Sequence, residues 1–496
     1  MITFFVAIAV LLLVYFTYGK LVEKIFQIDP ARQTPAVVHP DGVDFVPMKT
    51  WRIFLIQLLN IAGLGPIYGA LAGAAWGPRV YLWIVFGTIL GGGIHDFLSG
   101  MMSLRNDGTS VAEITHTYLG KLVGNIMRVF TFVLLFLIGV NFSLGPAALL
   151  AMLTPSYLST TVWLIIILVY YFFATFLPID KIIGPIYPIF GIVLIIMAVG
   201  VGGGLIIKGY PMQELWHADV FATPHPNGAP VWAMMFVTVA CGAVSGFHST
   251  QSPIMARCLT NEREGRKVFY GAMVAEGIIA LIWAAAGVSF YRVVNGQTLG
   301  YAEGIAGLAQ ALASRGQGGV VYDICKELLG PVGLIFAMLG VIACPITSGD
   351  TALRSARLTL ADWFKIDQSS VRVRLLISLP MLILVAIVGR LPFQVVWRYF
   401  SWSNQTLAAI GLWAGAAYLY RNGFPPLACF IAVCPATFMT AVSGTYIMQA
   451  PEGFRLPTSA AYPIGLVIAA VCLCLFVWRI LIKQKDMVQR VPLNVA

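Results

Sequence analysis

Several ionisable side chains lie inside long apolar stretches of the sequence, where a charged group is costly and is therefore a functional candidate. Glu276 stands in the middle of one stretch, and a desolvated carboxyl group there could carry a proton. His95 and Asp96 are adjacent near one end of another stretch, and such a pair could relay protons. These three residues are candidates for a proton relay. The alternatives are structural hydrogen bonds, a helix cap or an ion pair with a loop arginine.

Two further ionisable residues have different surroundings. His248 lies among glycines and hydroxyl groups in the segment 245–253, Ser-Gly-Phe-His-Ser-Thr-Gln-Ser-Pro, which suits solute binding better than an inert buried histidine. Asp350 precedes Arg354 by one helical turn, so this spacing predicts an ion pair between them.

The composition is that of a membrane protein. Of the 496 residues 59% are hydrophobic and 10% are charged, whereas soluble proteins carry about 25% charged residues. The net charge of +10 comes from basic residues in short loops, which indicates contact with a bilayer surface and no nucleic-acid partner. The eight cysteines show neither a disulfide framework nor a metal-type spacing with histidines.

The sequence predicts an all-α polytopic membrane protein, since a helix needs about 20 apolar residues to cross a bilayer. Thirteen stretches qualify. They are 2–19, 52–73, 79–103, 124–149, 160–177, 183–207, 231–256, 268–290, 331–355, 373–389, 394–418, 425–443 and 460–482. The first lacks the basic n-region and the A-x-A site of a signal peptide, so we expect a retained helix.

The distribution of lysine and arginine predicts the direction of insertion, because basic loops stay in the cytoplasm. An outside N-terminus and a cytoplasmic C-terminus put the main basic clusters on the cytoplasmic side. These clusters lie in 20–52, 257–267, 354–374 and 479–490. The same direction puts the long loop 291–330 outside, where 302–313 and 321–329 could form short helices of a lid.

Glycine and proline interrupt two of the predicted spans at corresponding places. The second span carries Gly63-Leu64-Gly65-Pro66, and the seventh carries Gly242 followed by the segment 245–253. These two spans run in opposite directions, so spans 2–6 and 7–11 form two sets of five with inverted topology, as in inverted-repeat transporters. Ordinary packing glycines and proline kinks are the alternative.

The inverted repeat predicts four regions and a substrate site between the two broken helices. The regions are an N-terminal helix and loop (1–51), a first repeat (52–207), a second repeat (208–418) and a C-terminal helix pair with a tail (419–496). The candidate substrate residues are Gly63, Gly65, Pro66, Gly246, His248, Ser249, Gln251 and Ser252.

At several of these segments the sequence resembles the carbon starvation protein A (CstA) family of bacterial membrane transporters. The resemblance covers most of residues 25–415. It rests on DPARQTPA from Asp29, DGVDFVP from Asp41, IAGLGP from Ile61, GIHD from Gly93, RNDGTS from Arg105, CGAVSGFH from Cys241, YGAMVAEG from Tyr270, DTALR from Asp350 and WSNQTLA from Trp402. Many members carry paired histidines where this chain has Ile56 and Gln57, and the chain is shorter than the long enterobacterial members.

The resemblance implies a five-plus-five, LeuT-like fold with extra helices at both ends, in a bacterial inner membrane. It also implies import of small peptides or of a small carboxylate such as pyruvate by ion-coupled alternating access, without an organic cofactor. A membrane enzyme, a channel and a sensor are the rival classes. The sequence carries no H-E-x-x-H, no suitable G-x-S-x-G and no Walker motif.

A weaker likeness to sodium-coupled symporters of the LeuT-like fold implies an ion site. Asn60 to Gly65 resembles their first broken helix, and 344–348 falls on their eighth core helix. Carried over, the ligands are the carbonyls of Leu59, Ala62 and Cys344 and the hydroxyls of Thr347 and Ser348. A cation such as Na⁺ at Thr347 and Ser348 is slightly favoured, and H⁺ at Glu276 is the alternative.

The predicted topology can be tested by labelling a cysteine placed at position 264 with a membrane-impermeant maleimide, in a background without reactive cysteines. We expect labelling from the cytoplasmic side only, because position 264 lies in a basic loop. A cysteine at position 295, in the loop 291–330, is the control for the opposite side. Labelling of position 264 from outside alone would overturn the whole topology.

Overall fold

The computed structural model describes residues 1–42, 44–174, 179–217, 225–368 and 370–482. Within these residues the chain is mainly helical. Nine described helices are long and apolar enough to cross a membrane, and a bent helix pair brings the number to ten. The predicted class, an all-α polytopic membrane protein, is confirmed.

Seventeen described helices and one small hairpin build the fold. They are α1 (Ile2–Ile25), α2 (Pro35–Val38), α3 (Thr50–Ile61), α4 (Gly65–Trp76), α5 (Arg79–Arg105), α6 (Val111–Leu119), α7 (Lys121–Leu153), α8 (Thr160–Ala174), α9 (Ile179–Ile207), α10 (Val231–Met235 continued by Phe236–Thr238), α11 (His248–Ala256), α12 (Glu262–Phe290), α13 (Tyr301–Phe364), α14 (Val371–Val388), α15 (Phe393–Arg421), α16 (Pro426–Gln449) and α17 (Thr458–Ile480). The strands β1 (Val293–Val294) and β2 (Gln297–Thr298) pair antiparallel between α12 and α13.

Each of the thirteen predicted spans coincides with one of these helices or with a broken pair, but the count of thirteen remains a prediction. Three expected spans lack a long apolar helix among the described residues: α8 has 15 residues, α15 is interrupted by polar side chains, and 231–256 is broken. The end of the span 160–177, and the basic tail from position 483, lie outside the described residues.

The region 291–330 is more regular than predicted. The hairpin β1–β2 is followed by α13, which begins at Tyr301 and is helical as far as Phe364 except at two glycines. Gly316 and Gly330 have φ of 67° and 66°, a backbone region that glycine adopts without a steric penalty. The two glycines interrupt the helix, so the predicted short helices 302–313 and 321–329 each lie within a helical segment of α13, the first before Gly316 and the second between Gly316 and Gly330.

The first predicted break is confirmed between α3 and α4. Helix α3 ends at Ile61, α4 begins at Gly65, and their axes differ by 51°. Pro66 lies in the first turn of α4, where its missing N–H leaves no hydrogen bond unmade. The glycines and the proline of this segment thus end one half-helix and begin the next.

The second break lies earlier than predicted. Helix α10 ends at Thr238 and α11 begins at His248, so the non-helical segment is 239–247. The prediction that unwinding continues to Pro253 is wrong. Hydroxyls of the first turn hold the new helix, since Ser249 Oγ donates to the Gly246 carbonyl at 2.7 Å, and Pro253 removes only one backbone donor.

The two breaks pack directly against each other. A β-carbon built at Gly65 would lie 2.2 Å from Cys241 Cβ, and one built at Gly69 would lie 3.0 Å from the Thr238 carbonyl oxygen. The same construction at Gly242 comes within 3.7 Å of Pro66 Cα. Only glycine allows this approach, so these residues set the distance between the two broken helices.

A Gly65→Ala substitution should push the two breaks apart and reduce transport, because overpacking of this kind costs about 1–3 kcal/mol. Uptake into proteoliposomes is the measurement, with monodispersity after purification as the check on folding. The pair Gly65→Ala with Cys241→Gly should recover activity, because it removes the side-chain atoms that clash.

Gly203→Ala is the matched control, because nothing lies within 4 Å of a β-carbon built at this helical position. This control should transport like the unaltered protein. Equal activity of Gly65→Ala and Gly203→Ala would contradict the face-to-face packing of the breaks.

Candidate functional site

Four buried ionisable side chains meet beside the second break. Asp96 Oδ1 lies 2.9 Å from His95 Nδ1, and Asp96 Oδ2 lies 2.7 Å from His248 Nδ1. On its other side, His248 Nε2 lies 3.4 Å from Glu276 Oε2. None of the four side chains is more than 1% exposed. We call these four residues the central cluster.

Three helices bring the central cluster together. His95 and Asp96 lie on α5 just after a π-helical turn at Thr88–Gly92, a feature often found at functional sites. His248 is the first residue of α11 and so lies at the edge of the second break. Glu276 comes from α12, which is buried over most of its length. The sequence separates these residues widely, and the packing of α5, α11 and α12 unites them.

The hydrogen bonding of the cluster defines where a proton can move. A carboxylate is only an acceptor, so each histidine donates its Nδ1 hydrogen to Asp96 and keeps Nε2 for another partner. His248 Nε2 faces Glu276, whose two carboxyl oxygens have no hydrogen-bond partner among the described residues. A proton can therefore reside either on Glu276 or on His248, where it is flanked by two carboxylates.

The candidate substrate residues do not form a single site in the structure, and most of them make contacts within the protein. Gly246 packs against the backbone of α15, with a β-carbon there only 2.4 Å from the Asn404 carbonyl oxygen. Ser252 accepts a hydrogen bond from Gln57 Nε2 at 3.2 Å, which ties α11 to α3. Gln251 Nε2 donates to Thr250 Oγ1 at 3.1 Å. His248 belongs to the central cluster, and Ser249 lines a sizeable cavity.

That cavity has a volume of about 530 Å³ and is lined by residues of both charges and by several hydroxyls. Its lining includes Asp44, Thr109, Ser110, Glu113, Arg128, Thr131, Ser249, Thr250, Arg257, Ser355, Thr359 and Asp362. The lining runs from Ser249, next to His248, to the end of the bundle that carries Arg32, Arg105 and Arg257. We call this the basic end.

Aromatic side chains pack together just after the first break. The ring of Tyr68 lies 5.6 Å from that of Trp397 and 6.0 Å from that of Phe393, between ring centroids. Nearby, Gln317 Nε2 donates to Gln394 Oε1 at 3.2 Å and joins α13 to α15. The polar cavity lies at the basic end, and its lining includes Ser249, which follows His248 in the chain.

The predicted ion ligands also converge, but through different atoms. Cys344 Sγ lies 3.1 Å from the Leu59 carbonyl oxygen and 3.5 Å from that of Ala62. Ser348 Oγ lies 3.5 Å from the Leu59 carbonyl oxygen, whereas Thr347 Oγ1 donates to the Cys344 carbonyl within its own helix at 2.8 Å. The thiol, which the sequence analysis did not consider as a donor, thus meets two of the expected carbonyl ligands.

Sequence reasoning missed Asn404, which stabilises the second break. Its side-chain oxygen accepts hydrogen bonds from the Phe247 N–H at 2.7 Å and from Ser245 Oγ at 3.2 Å, and its backbone carbonyl accepts from the Gly246 N–H at 3.2 Å. An asparagine inside a predicted span was the available signal.

A second buried charge cluster holds the basic end. Glu262 accepts hydrogen bonds from Arg105 Nε and Nη2, each at 2.9 Å, and lies 3.2 Å from Arg32 Nε. It also accepts from the Asp29 N–H at 2.9 Å. The turn Asp-Pro-Ala-Arg from position 29 is therefore fastened to α5 and α12. The predicted pair Asp350–Arg354 is present at 4.0 Å.

Comparisons with known proteins agree with this architecture. A protein of Haemophilus influenzae called uncharacterized membrane protein is 41% identical over 59% of this chain and 92% of its own length. The peptide transporter CstA of Helicobacter pylori is 29% identical over 59% of this chain and 52% of its length. The pyruvate/proton symporter BtsT of Escherichia coli is 26% identical over 56% of this chain and 47% of its own length. The chain thus matches about half the length of these two transporters.

A crystal structure of a mutant manganese transporter of Eremococcus coleocola superposes with a TM-score of 0.54. At 14% identity, over 90% of this chain and 99% of that one, this likeness shows a shared helical transporter fold.

The family model described as carbon starvation protein CstA matches residues 1–157 and 147–298, which together make up more than half of the sequence. The apolar helices agree with a multi-pass membrane protein. The chain belongs to the carbon starvation protein CstA family.

Proposed function

We propose that this chain is a secondary active transporter that imports a small peptide or a small carboxylate such as pyruvate by ion-coupled alternating access. The observation that carries the proposal is the central cluster, a set of buried titratable groups at a helix break beside a polar cavity. Buried ionisable groups between membrane helices mark ion or proton pathways because they are too costly to keep without a function.

The cavity at the basic end supports alternating access. Its lining extends from the exposed Glu113 to the buried Ser249, which follows His248 in the chain, while aromatic rings pack around Tyr68 after the first break. A transporter that has its site open on one side and closed on the other has the arrangement of one end state of such a cycle. With the basic end in the cytoplasm, this state is inward-facing.

The lining of the cavity suits a small polar solute. A volume of about 530 Å³ lies in the range of small-molecule sites, roughly 300–1,000 Å³. Arg128 and Arg257 can attract a carboxylate, and Asp362 and Glu113 can attract an ammonium group. A peptide would use both signs of charge and a keto acid only the positive one. The named relatives carry one substrate of each kind.

We further propose the topology and the division of the chain derived from the sequence. The regions are 1–51, 52–207, 208–418 and 419–496, with spans 2–6 and 7–11 as inverted repeats. The contact between the breaks of α3–α4 and α10–α11 supports this pairing. The N-terminus lies outside a bacterial inner membrane, and the C-terminus and the basic end lie in the cytoplasm.

For the coupling ion we propose H⁺ rather than Na⁺. Carbonyl oxygens freed at a helix break favour a cation when no other donor reaches them. Here the Cys344 thiol reaches the Leu59 and Ala62 carbonyls, and the Thr347 hydroxyl is engaged within its own helix. Glu276, by contrast, has a carboxyl group that needs a proton or a partner in this apolar interior. The E. coli relative is named as a proton symporter.

A Glu276→Gln variant tests the function and the ion together. Uptake of a panel of peptides and keto acids into proteoliposomes would be measured under separate sodium and proton gradients. In the unaltered protein we expect one solute class to accumulate when a proton gradient is imposed. In Glu276→Gln, proton-driven accumulation should fall at least about tenfold, equivalent to about 1.4 kcal/mol. Exchange of solute across the membrane should persist.

The contribution of the candidate sodium site to transport can be tested with the double variant Thr347→Ala and Ser348→Ala. Solute uptake by this variant would be measured at varied sodium concentration and fixed pH. We expect unchanged, sodium-independent uptake, because neither hydroxyl is required to hold a proton on Glu276. Stimulation of the unaltered protein by sodium, abolished in this double variant, would restore the sodium site as the coupling site.

A further inference from the structure

The face of α5 that carries His95 continues with hydroxyl groups toward the basic end. Ser99 and Ser103 follow His95 by one and two helical turns, and residues four apart lie on the same helix face. His95, Ser99 and Ser103 are each at most 1% exposed. The mechanism described above uses His95 Nδ1 alone and neither serine.

Each of these three residues has a buried polar atom that lacks a hydrogen-bond partner among the described residues: His95 Nε2, Ser99 Oγ and Ser103 Oγ. Buried polar groups in native proteins are nearly always paired with protein or with ordered water. A serine inside a helix usually satisfies its hydroxyl by donating to its own helix, as Ser289 does to the Ala285 carbonyl at 2.5 Å. Three unpartnered polar atoms at successive turns of one helix face indicate ordered water between these side chains.

The spacing along the face fits such water. One step of four residues rises about 6 Å along a helix. Two hydrogen bonds of about 2.8 Å in sequence cover the same distance. One water molecule between each pair of side chains would therefore have two polar partners. At the start of the row Gly411 on α15 lies against His95 Nε2: a β-carbon built there would lie only 3.0 Å from that nitrogen, so any side chain at position 411 would crowd it.

The row of His95, Ser99 and Ser103 is long enough to carry protons through a large part of the membrane. From His95 to Ser103 the helix rises about 12 Å, close to half of the roughly 30 Å hydrocarbon thickness of a bilayer. Two residues later Arg105 enters the charge cluster of Glu262 and Arg32 at the basic end. The row thus connects the central cluster to the end of the bundle where water is available.

Other ionisable groups surround α5. Asp96 on α5 and His248 on α11 face His95, and Glu276 on α12 joins through His248. Further charged or titratable groups stand on the helices packed against α5. They include Glu262, Arg263, Glu264, Arg266, Lys267 and Tyr270 on α12, Glu113, His116 and Tyr118 on α6, Arg398, Tyr399, Tyr418, Tyr420 and Arg421 on α15, Tyr15, Tyr18, Lys20, Glu23 and Lys24 on α1, Cys429, Cys434 and Tyr446 on α16, and Arg257 at the end of α11.

We propose that His95, Ser99 and Ser103, with intervening water, form the proton path between the central cluster and the basic end. This inference rests on the proposed proton coupling. When a proton enters from the basic end, His95 accepts it at Nε2 and gives its Nδ1 proton to Asp96, which passes it toward His248 and Glu276. For release the same transfers run in reverse, so that Nδ1 accepts a proton from Asp96 while Nε2 gives one to the first water. Each water and hydroxyl then accepts one proton and gives one up, so that no net bond is made or broken. The serines act as relay groups, and the solute does not touch them.

The test uses the full chain in proteoliposomes, with solute-driven proton movement reported by a trapped pH dye and with solute exchange measured in parallel. In Ser99→Ala combined with Ser103→Ala, solute-driven proton movement should slow at least about tenfold, while exchange, which needs no net proton movement, stays normal. Ser99→Thr with Ser103→Thr keeps both hydroxyls and should retain proton movement. Ser289→Ala is the matched control, equally buried but with a hydroxyl bonded to its own helix.

Normal proton movement in the double alanine variant would overturn the path. Equal loss of exchange and of proton movement would also overturn it, because that result indicates a structural role for the serines. Glu276→Gln, measured in the same vesicles, separates the path from the proposed function. Proton movement lost in Glu276→Gln but kept in the serine variant refutes the path alone, whereas proton movement kept in both refutes the coupling as well.

Discussion

The structure depends on how the backbone groups freed at two helix breaks are satisfied in an interior without bulk water. An unpaired N–H or C=O group costs several kcal/mol in hydrocarbon, so a break persists only where other elements supply partners. Asn404 on α15 supplies them at the second break, with its amide oxygen and its backbone carbonyl. Cys344 and Ser348 on α13 face the carbonyls at the first. Two helices outside the broken pairs thus maintain both breaks.

The central cluster is a consequence of the same arrangement. Because the second break ends at Phe247, His248 begins α11 at the point where α5 and α12 pack closest to it. A single buried carboxylate would be strongly unfavourable, but Asp96 is compensated by two imidazoles, and Glu276 can share a proton with one of them. The buried charges are therefore stabilised only by one another. Because His248 begins α11 at the second break, proton binding in the central cluster can respond to movement of the broken helices.

The choice of ion follows from which donor meets the carbonyls of the first break. Sodium requires several oxygen ligands at short range, all turned toward one point. In this chain a thiol stands at that point, with its sulfur 3.1 Å from the Leu59 oxygen. The Thr347 hydroxyl turns back to its own helix, while Ser348 Oγ faces the Leu59 oxygen at 3.5 Å. This contact supports the proposal that the chain uses H⁺ and not Na⁺ as its coupling ion.

The sequence by itself determined the class of the fold, the positions of the helices and the first break, because apolar length and glycine-proline placement act locally. It also singled out Glu276, His95, Asp96 and His248, because ionisable groups in apolar runs are conspicuous. Tertiary structure decided the rest. It placed the four groups in contact, ended the second break at position 247 through Asn404, and turned the Cys344 thiol toward the carbonyls. The contacts of Asp96 with His248, of Asn404 with Phe247 and of Cys344 with Leu59 join residues more than 100 positions apart, which no local pattern encodes.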